Sequence, residues 1–426
     1  MPAISKGRKE MYVTPDRLTS IDLRSFKSDT EVTNSGHARS FAETWEFIKP
    51  MLSKIPITRI YDASPIDFLN IPVWQAVTPL AKDLTVHGGK GATKDAAKLS
   101  AAMEAVERTS AETLPSWRIV RGSFRELASS GAVDPMRFNL PVDTSYRDDA
   151  PFSWTGAYDL ISKDYFLVPT DLVINPTMEG IVPRIETNGL ASGNTYSEAT
   201  LHALCELIER DAEAKEDFYT AHHDPAFSPR RPIKNIDIDT ITVARSLIDR
   251  LREEGLDLRV QDVTSEIQVP TFRALILDHH FFGREGALTV FPGMGCELDP
   301  ARAVIRAITE ACQSHSAFST GAREAFDGVL HEDRPAVWKR LRSLYDKPGV
   351  MPFPQAESGS SADNILANLC TVVNRLRAAG IDQCLVSEVT REDLGIPVVR
   401  VIVPGLAFPF GVSSRTPTLR MLESVI

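Results

Sequence analysis

The stretch NGLASGNTYSEATLHALCELIER, residues 188–210, runs from a glycine-containing loop into a helical segment that carries Glu206 and Glu209. The same layout occurs on either side of it. GGKGATKDAAKLSAAMEAVER (88–108) holds Glu104 and Glu107, and GMGCELDPARAVIRAITEACQ (293–313) holds Glu310 and Gln313. The leading glutamates lie 102 and 104 residues apart. An alanine precedes each by seven residues (Ala97, Ala199, Ala303), and a glycine precedes the first two by 13 (Gly91, Gly193). Spacing this regular marks an internal pseudo-repeat, with three equivalent helices expected to converge on one site. Five carboxylates in one small volume need cations, so metal ions and their usual partner, a phosphate ligand, follow as the expected occupants.

From Asp95 to Arg108 the apolar residues Leu99, Met103 and Val106 recur at helical steps, and the alanine-rich filling favours helix. Ser100, Glu104 and Glu107 then share one face. His202, Glu206 and Glu209 repeat that face, as do Arg306, Glu310 and Gln313. A single such helix reads most simply as an amphipathic element with a solvated outer face. Recurrence of the face in three copies turns the reading toward a shared site.

The chain has 426 residues, 43% hydrophobic and 24% charged, enough to bury a substantial core. Its formal charge of −10 argues against a nucleic-acid-binding surface. Five cysteines (Cys205, Cys296, Cys312, Cys370, Cys384) show no CxxC pair and read as buried reduced thiols. The first residues, MPAISKGRKEM, have no apolar run behind them, and no stretch reaches the roughly 18 apolar residues a membrane span needs. A cytoplasmic protein is expected.

A second repeat accompanies the first. Residues 57–77, 256–276 and 381–403 each read as a strand, a polar turn, then Ile-Pro or Val-Pro opening a second strand. Amphipathic helical stretches near 239–254 and 363–379 precede the second and third copies. The expected fold class is α/β, with mixed sheets and helices in one interlocked domain over 56–415. Residues 1–55 read as an appended N-terminal extension, helical around Phe41–Ile48. The proline- and serine-rich stretch 327–362 reads as a variable insertion rather than core.

The loops ahead of the acidic helices supply phosphate-binding chemistry. In HGGKGAT, Gly88, Gly89 and Gly91 would let backbone N–H groups approach an oxyanion beside the Lys90 ammonium. The GxxxxGK[ST] spacing of a P-loop is missing. The second loop offers Asn188, Ser192, Gly193 and Asn194. Lys90, Ser192 and Asn194 are the loop groups expected to face nucleotide, and Arg210 and Arg306 the arginines expected to meet phosphate. Ordinary ion pairing with neighbouring acids is the competing role for both arginines.

SAAMEAVER, NGLASGNTYSEATLHALCELIERDA and RAITEACQSHSAFSTGARE together resemble the three signature segments of the YcaO family, and the resemblance extends over roughly 56–415. It implies a fold distinct from kinases and P-loop proteins that binds ATP and magnesium. It implies further that Glu104, Glu107, Glu206, Glu209 and Glu310 hold Mg2+ bridging the ATP phosphates. Ser100, Arg210 and Arg306 match nucleotide-contacting positions, with Lys90 and Asn194 in the same role. The chemistry implied is phosphorylation of a peptide amide oxygen, followed by attack of a nucleophile on the amide carbon and loss of phosphate. No Ser-His-Asp or Cys-His constellation is legible, and that chemistry requires none.

Departures from the family pattern narrow the reading. The last residues, 416–426, contain no PxPxP tail, and only about 55 residues precede the core, too few for a fused peptide-binding domain. No C-terminal helical repeat region is present either. Thr187 precedes Asn-Gly where serine is common, and His315 stands where arginine is common. The pattern looks most similar to members that work beside a TfuA-like partner and install thioamides. Azoline-forming cyclodehydration of a ribosomal peptide is the alternative, amidine formation a further one, and a non-catalytic ATP-binding scaffold the reading of another class. A peptide or protein substrate, a separate recruiting protein, an external sulfur donor and a homodimer complete the expectations.

Overall fold

The computed structural model describes residues 13–26, 33, 36–181, 187–224, 226–227, 234–278, 290–320, 351–354, 363–408 and 415–425. All three expected strand pairs are present and antiparallel. They are β1 (Arg59–Asp62) with β2 (Val73–Val77), β9 (Asp257–Asp262) with β10 (Thr271–Leu277), and β12 (Leu385–Glu388) with β13 (Val398–Ile402). In each pair the proline (Pro72, Pro270, Pro397) stands immediately before the second strand, where its missing N–H costs no ladder bond.

A third strand completes each unit. β3 (Val86–Lys90) pairs with β2, β11 (Val290–Cys296) with β10, and β7 (Leu190–Ser192) with β13. Each third strand leads into one of the acid-bearing helices: α2 (Lys94–Ser110), α4 (Tyr196–His222) or α6 (Pro300–Thr320). The middle unit therefore draws its strand and helix from one part of the chain and its hairpin from some two hundred residues later. Nothing in the spacing of the sequence announces that pairing.

The helices start alike. Thr93 accepts a hydrogen bond from the Ala96 N–H, Thr195 from the Glu198 N–H and Asp299 from the Ala301 N–H. A side-chain cap at the same place in each unit fixes where the helix begins, and so which turn carries the acids.

The remaining elements enclose this frame. β4 (Val120–Gly122), β5 (Phe152–Asp159) and β6 (Tyr165–Pro169) widen the middle sheet to the order β4-β5-β12-β13-β7 with β6 on β5, and β8 (Asn235–Ile236) extends the third. α5 (Arg245–Glu253) and α7 (Ile365–Ala378) fall in the two stretches expected to be helical. α1 (Phe41–Ile48), α3 (Phe124–Leu127) and α8 (Leu419–Glu423) are short helices that each bury a side chain in the core: Ile48, Leu127 and Met421.

A glycine in or just after each third strand packs against the repeating alanine of its own helix. A Cβ on Gly89 would sit 2.1 Å from the Ala97 carbonyl oxygen, on Gly193 2.5 Å from the Ala199 nitrogen, and on Gly295 2.1 Å from the Ala303 carbonyl oxygen. All three alanines are fully buried. Only glycine lets strand and helix come so close. The expected oxyanion-binding loop of Gly88, Gly89 and Gly91 changes in one part: Gly89 is taken up by this packing, while Gly88 and Gly91 line the cleft described below. Gly88 and Gly89 lie within β3, Gly89 faces its own helix, and Gly88 faces the Gln313 side chain.

Two further expectations change. The N-terminal segment is not an appendage: Leu18, Ile21 and Phe26 are buried in the core, Phe26 stacks on Tyr158, and the Leu18 carbonyl accepts from Arg118 Nε at 3.2 Å. Ile48 and Ile55 are fully buried as well. The stretch 327–362 lies outside the described residues except for 351–354. There Phe353 packs against Phe272 in the core, and Met351 bridges to Ile236.

Cys205, Cys296, Cys312 and Cys384 are buried free thiols, while Cys370 is exposed. Among the described residues no helix is long and apolar enough to cross a membrane.

Candidate functional site

The three capped helices line one cleft of about 620 Å³. All eleven residues singled out from the sequence face it: Lys90, Ser100, Glu104, Glu107, Ser192, Asn194, Glu206, Glu209, Arg210, Arg306 and Glu310. Equivalent positions form successive tiers along the helices. Ala96, Glu198 and Arg302 lie at the helix starts, then Ser100, His202 and Arg306. Glu104, Glu206 and Glu310 come next, followed by Glu107, Glu209 and Gln313. The expected convergence of three acid-bearing faces is therefore observed.

Each unit's third strand reaches the helix of another unit. Ser192 on β7 donates to the Glu107 carboxylate through its backbone N–H at 2.9 Å and its hydroxyl at 2.8 Å. Lys90 on β3, at the equivalent position, pairs with Glu310 on α6. The loop groups thus hold the acids in place. Arg210 adds its Nη2 at 3.7 Å from Glu209 and 3.8 Å from Glu310. Among the described residues Glu206 makes no hydrogen bond or ion pair and feels the neighbouring arginines only at a distance.

Burial makes this charge distribution uneven. It pushes the Glu107 carboxyl up to about 8 despite the two bonds from Ser192, and it raises Glu206 and Glu209 too. Glu310 is also buried, but the Lys90 and Arg210 cations hold it well below the usual carboxylate range. Three carboxylates in this cleft therefore lack the positive charge that would keep them ionised, which a divalent cation supplies. Among the described residues no three acids, histidines or cysteines already form a closed metal cage. Magnesium seldom uses one: it takes one or two carboxylates and completes its shell with phosphate oxygens and water. The donor set fits Mg2+ held jointly by these glutamates and a polyphosphate.

Arg306 is held through its two terminal nitrogens, while its buried Nε has no hydrogen-bond partner among the described residues. Its Nη2 lies 3.3 Å from His202 Nε2, and its Nη1 lies 3.7 Å from Glu297. Burial, with the Arg306 charge beside it, lowers His202 to about 3, so its imidazole is neutral and can accept.

Sequence reasoning missed the wall at the helix starts. His37, Phe41 and Thr44, from the N-terminal segment, face the cleft. His37 Nδ1 lies 2.8 Å from Glu198, the Ala38 N–H donates to the same carboxylate at 3.2 Å, and Thr44 Oγ1 donates to Asn194 Oδ1 at 3.0 Å. Asn194 also donates to Glu198 through Nδ2. Glu198 and Arg302 could have been found by extending the 102- and 104-residue offsets about two turns back from the acids. The wall residues carry no such signal.

A family model described as YcaO cyclodehydratase, ATP- and Mg2+-binding, matches residues 88–407. A protein of Rhizobium leguminosarum bv. trifolii, described as an uncharacterized protein in the tfuA 3' region, is 35% identical over 406 residues, covering 90% of this chain and 93% of that one. An uncharacterized protein of Methanothermobacter thermautotrophicus is 34% identical over 380 residues, covering 86% and 93%. Among solved structures, a heterocyclase in complex with substrate and cofactor superposes with a TM-score of 0.74 at 24% identity. That match covers 92% of this chain but 56% of the heterocyclase, so this chain spans little more than half its length. YcaO from Methanopyrus kandleri, bound with AMPPCP and Mg2+, gives a TM-score of 0.70 at 24% identity, covering 89% and 95%. At these identities the structural likeness is one of fold. The chain belongs to the YcaO family and carries its ATP- and Mg2+-binding, peptide-modifying domain over most of its length.

Proposed function

We propose that this protein activates a peptide backbone amide with ATP and Mg2+, and that the product is a thioamide made with a TfuA-like partner. The observation that carries the finer reading is the relative encoded in a tfuA 3' region, which matches this chain over nearly its whole length. Glu104, Glu107, Glu206, Glu209 and Glu310 hold the metal, and Ser100, Arg210, Arg306 and Asn194 contact the nucleotide. Ser192 and Lys90 act on the acids as much as on phosphate, given their bonds to Glu107 and Glu310.

A backbone amide is a poor electrophile because nitrogen donates into its carbonyl. Transfer of the γ-phosphoryl group to the amide oxygen, with ADP leaving, converts that oxygen into a leaving group. Sulfide then forms the new C–S bond, the C–O bond breaks to release phosphate, and the sulfide proton passes to the amide nitrogen. Bound Mg2+ supplies charge neutralisation at the phosphates. The chain's own residues position the two substrates and exclude water from the buried acids. Cys296, the cysteine in the third glycine-containing segment, is pushed by burial well above the usual thiol range and so offers no thiolate nucleophile.

Azoline formation is the second reading, favoured by the fold shared with a heterocyclase. Incubation of the protein with ATP, Mg2+, sulfide, a TfuA-like protein and a candidate precursor peptide separates the two by mass spectrometry. Exchange of oxygen for sulfur makes the peptide heavier and supports thioamidation, whereas loss of one water supports cyclodehydration. Full multiple turnover without any added protein would remove the partner from the account.

A further inference from the structure

Beyond the acid tiers the cleft is faced by two arginines at equivalent positions, Arg108 on α2 and Arg210 on α4. Arg210 is surrounded by carboxylates: its Nη1 lies 3.2 Å from Glu213, and its Nη2 lies near both Glu209 and Glu310. Arg108 is held differently. Its Nη1 donates to Asp83 Oδ2 at 2.7 Å and its Nε to Glu104 Oε1 at 3.2 Å. Asp83 is itself fixed by Asn175 Nδ2 at 2.6 Å. Neither of these bonds uses Nη2, and the Arg108 side chain is 17% exposed, toward the cleft it lines. The guanidinium is clamped on one side and presents its other side to the cleft. Such a group is preorganised to meet an anion without reorganising at the moment of reaction.

The position along the cleft selects which anion. The opposite end, at the helix starts, is lined by Phe41, Ala96, Leu99 and Ile305, a surface suited to a flat apolar base. Between Ala96 and Arg108 the helix rises by about 18 Å, which accommodates an extended nucleoside triphosphate. With the base at the apolar end and the metal-bound phosphates among the acid tiers, the terminal phosphate arrives beside Arg108. We propose that Arg108 binds the γ-phosphate and flanks it opposite Arg210, so that the phosphoryl group in transfer is held from both α2 and α4. Arg108 thereby distinguishes ATP from ADP. The amide oxygen then approaches from the side of Met103, Thr187 and Leu190, which also line the cleft. This inference rests on ATP use by the acid-lined cleft and is independent of which peptide product forms.

Titration calorimetry of the full chain with MgADP and with MgAMPPCP tests it without peptide. In Arg108→Gln the affinity for MgAMPPCP falls by roughly tenfold or more, as expected for loss of a charge-assisted bond to phosphate, while MgADP affinity stays within about twofold. Asp83→Asn, which releases one side of the clamp, gives a smaller loss with the same selectivity. Equal weakening of both nucleotides, or a selective loss below about threefold, overturns the proposal and leaves Arg108 a structural ion-pair partner. If Arg108→Gln fails to fold by thermal unfolding, Arg108→Lys is judged by the same ratio. Failure of the unsubstituted protein to bind either nucleotide would instead sink the ATP reading itself.

Discussion

The hydroxyl of Ser192 donates to the carboxylate of Glu107 across 2.8 Å, although 85 residues of chain separate them. The bond joins the strand of the middle unit to the helix of the first. Lys90 makes the same kind of link from the first unit to Glu310 in the third. Each acid so held is positioned by a different repeat from its own, so the site exists only once all the units have assembled.

Ser192→Ala keeps the backbone bond to Glu107 and removes the hydroxyl. Hydrogen bonds to charged groups contribute about 1.5–3 kcal/mol, so magnesium-dependent ATP affinity is expected to fall roughly tenfold with the unfolding temperature little changed. Calorimetric titration beside a thermal melt checks both. An unaltered affinity would show that Ser192 does not position Glu107.

Gly89→Ala probes the strand–helix contact. Its Cβ would lie 2.1 Å from both the Ala97 carbonyl oxygen and the Ala101 nitrogen, and backbone atoms cannot yield as a flexible side chain does. Overpacking of this kind costs about 1–3 kcal/mol or more. A lowered midpoint in urea unfolding is the expected result. Gly380→Ala, where nothing lies within 4 Å, is the control for clash, its cost coming from a backbone φ of +85° alone.

His315 lies fully buried between two carboxylates, its Nδ1 3.0 Å from Asp67 and its Nε2 2.9 Å from Asp278, with Phe68 and Phe291 packed on its ring. Burial acts to lower its pKa, but the two aspartates prevail and raise it above 6.5. The stabilisation this gives is complete below the unfolded value and is lost as pH rises through the higher folded value. His315→Gln leaves two buried carboxylates facing a neutral group, a change that costs about 3–5 kcal/mol for buried pairs. Thermal melts should show the variant's deficit largest near pH 6 and shrinking toward pH 9. A deficit independent of pH would mean that His315 is neutral in the fold.

The parts of this structure that were legible in the sequence are those encoded locally. The acidic faces follow from helical periodicity, and the hairpins follow from the X-Pro steps before β2, β10 and β13. Contacts between distant segments were not legible. β13 completes the sheet of β7 because the pseudo-repeat is permuted along the chain, and no local pattern records this. Leu18, Ile21 and Phe26 join the core although the segment around them is charged and irregular, which reads as an appendage until its packing is seen. Gly89 was legible as important but misread in purpose, since close strand–helix packing and phosphate approach both call for a residue without a Cβ. Arg108 follows from the same 102-residue offset that relates Glu104 to Glu206, once the offset is extended past the acids.

The central claim is that the acids of three helices hold Mg2+ for ATP, and Glu206 tests it most directly. Its carboxylate faces the cleft, and burial raises its pKa. Glu206→Gln keeps the size of the side chain and removes its charge. Isothermal titration of ATP in the presence and absence of magnesium should show that the variant loses the magnesium-dependent part of the affinity while its thermal unfolding remains cooperative. Magnesium-dependent ATP affinity equal to that of the unsubstituted protein would contradict the account.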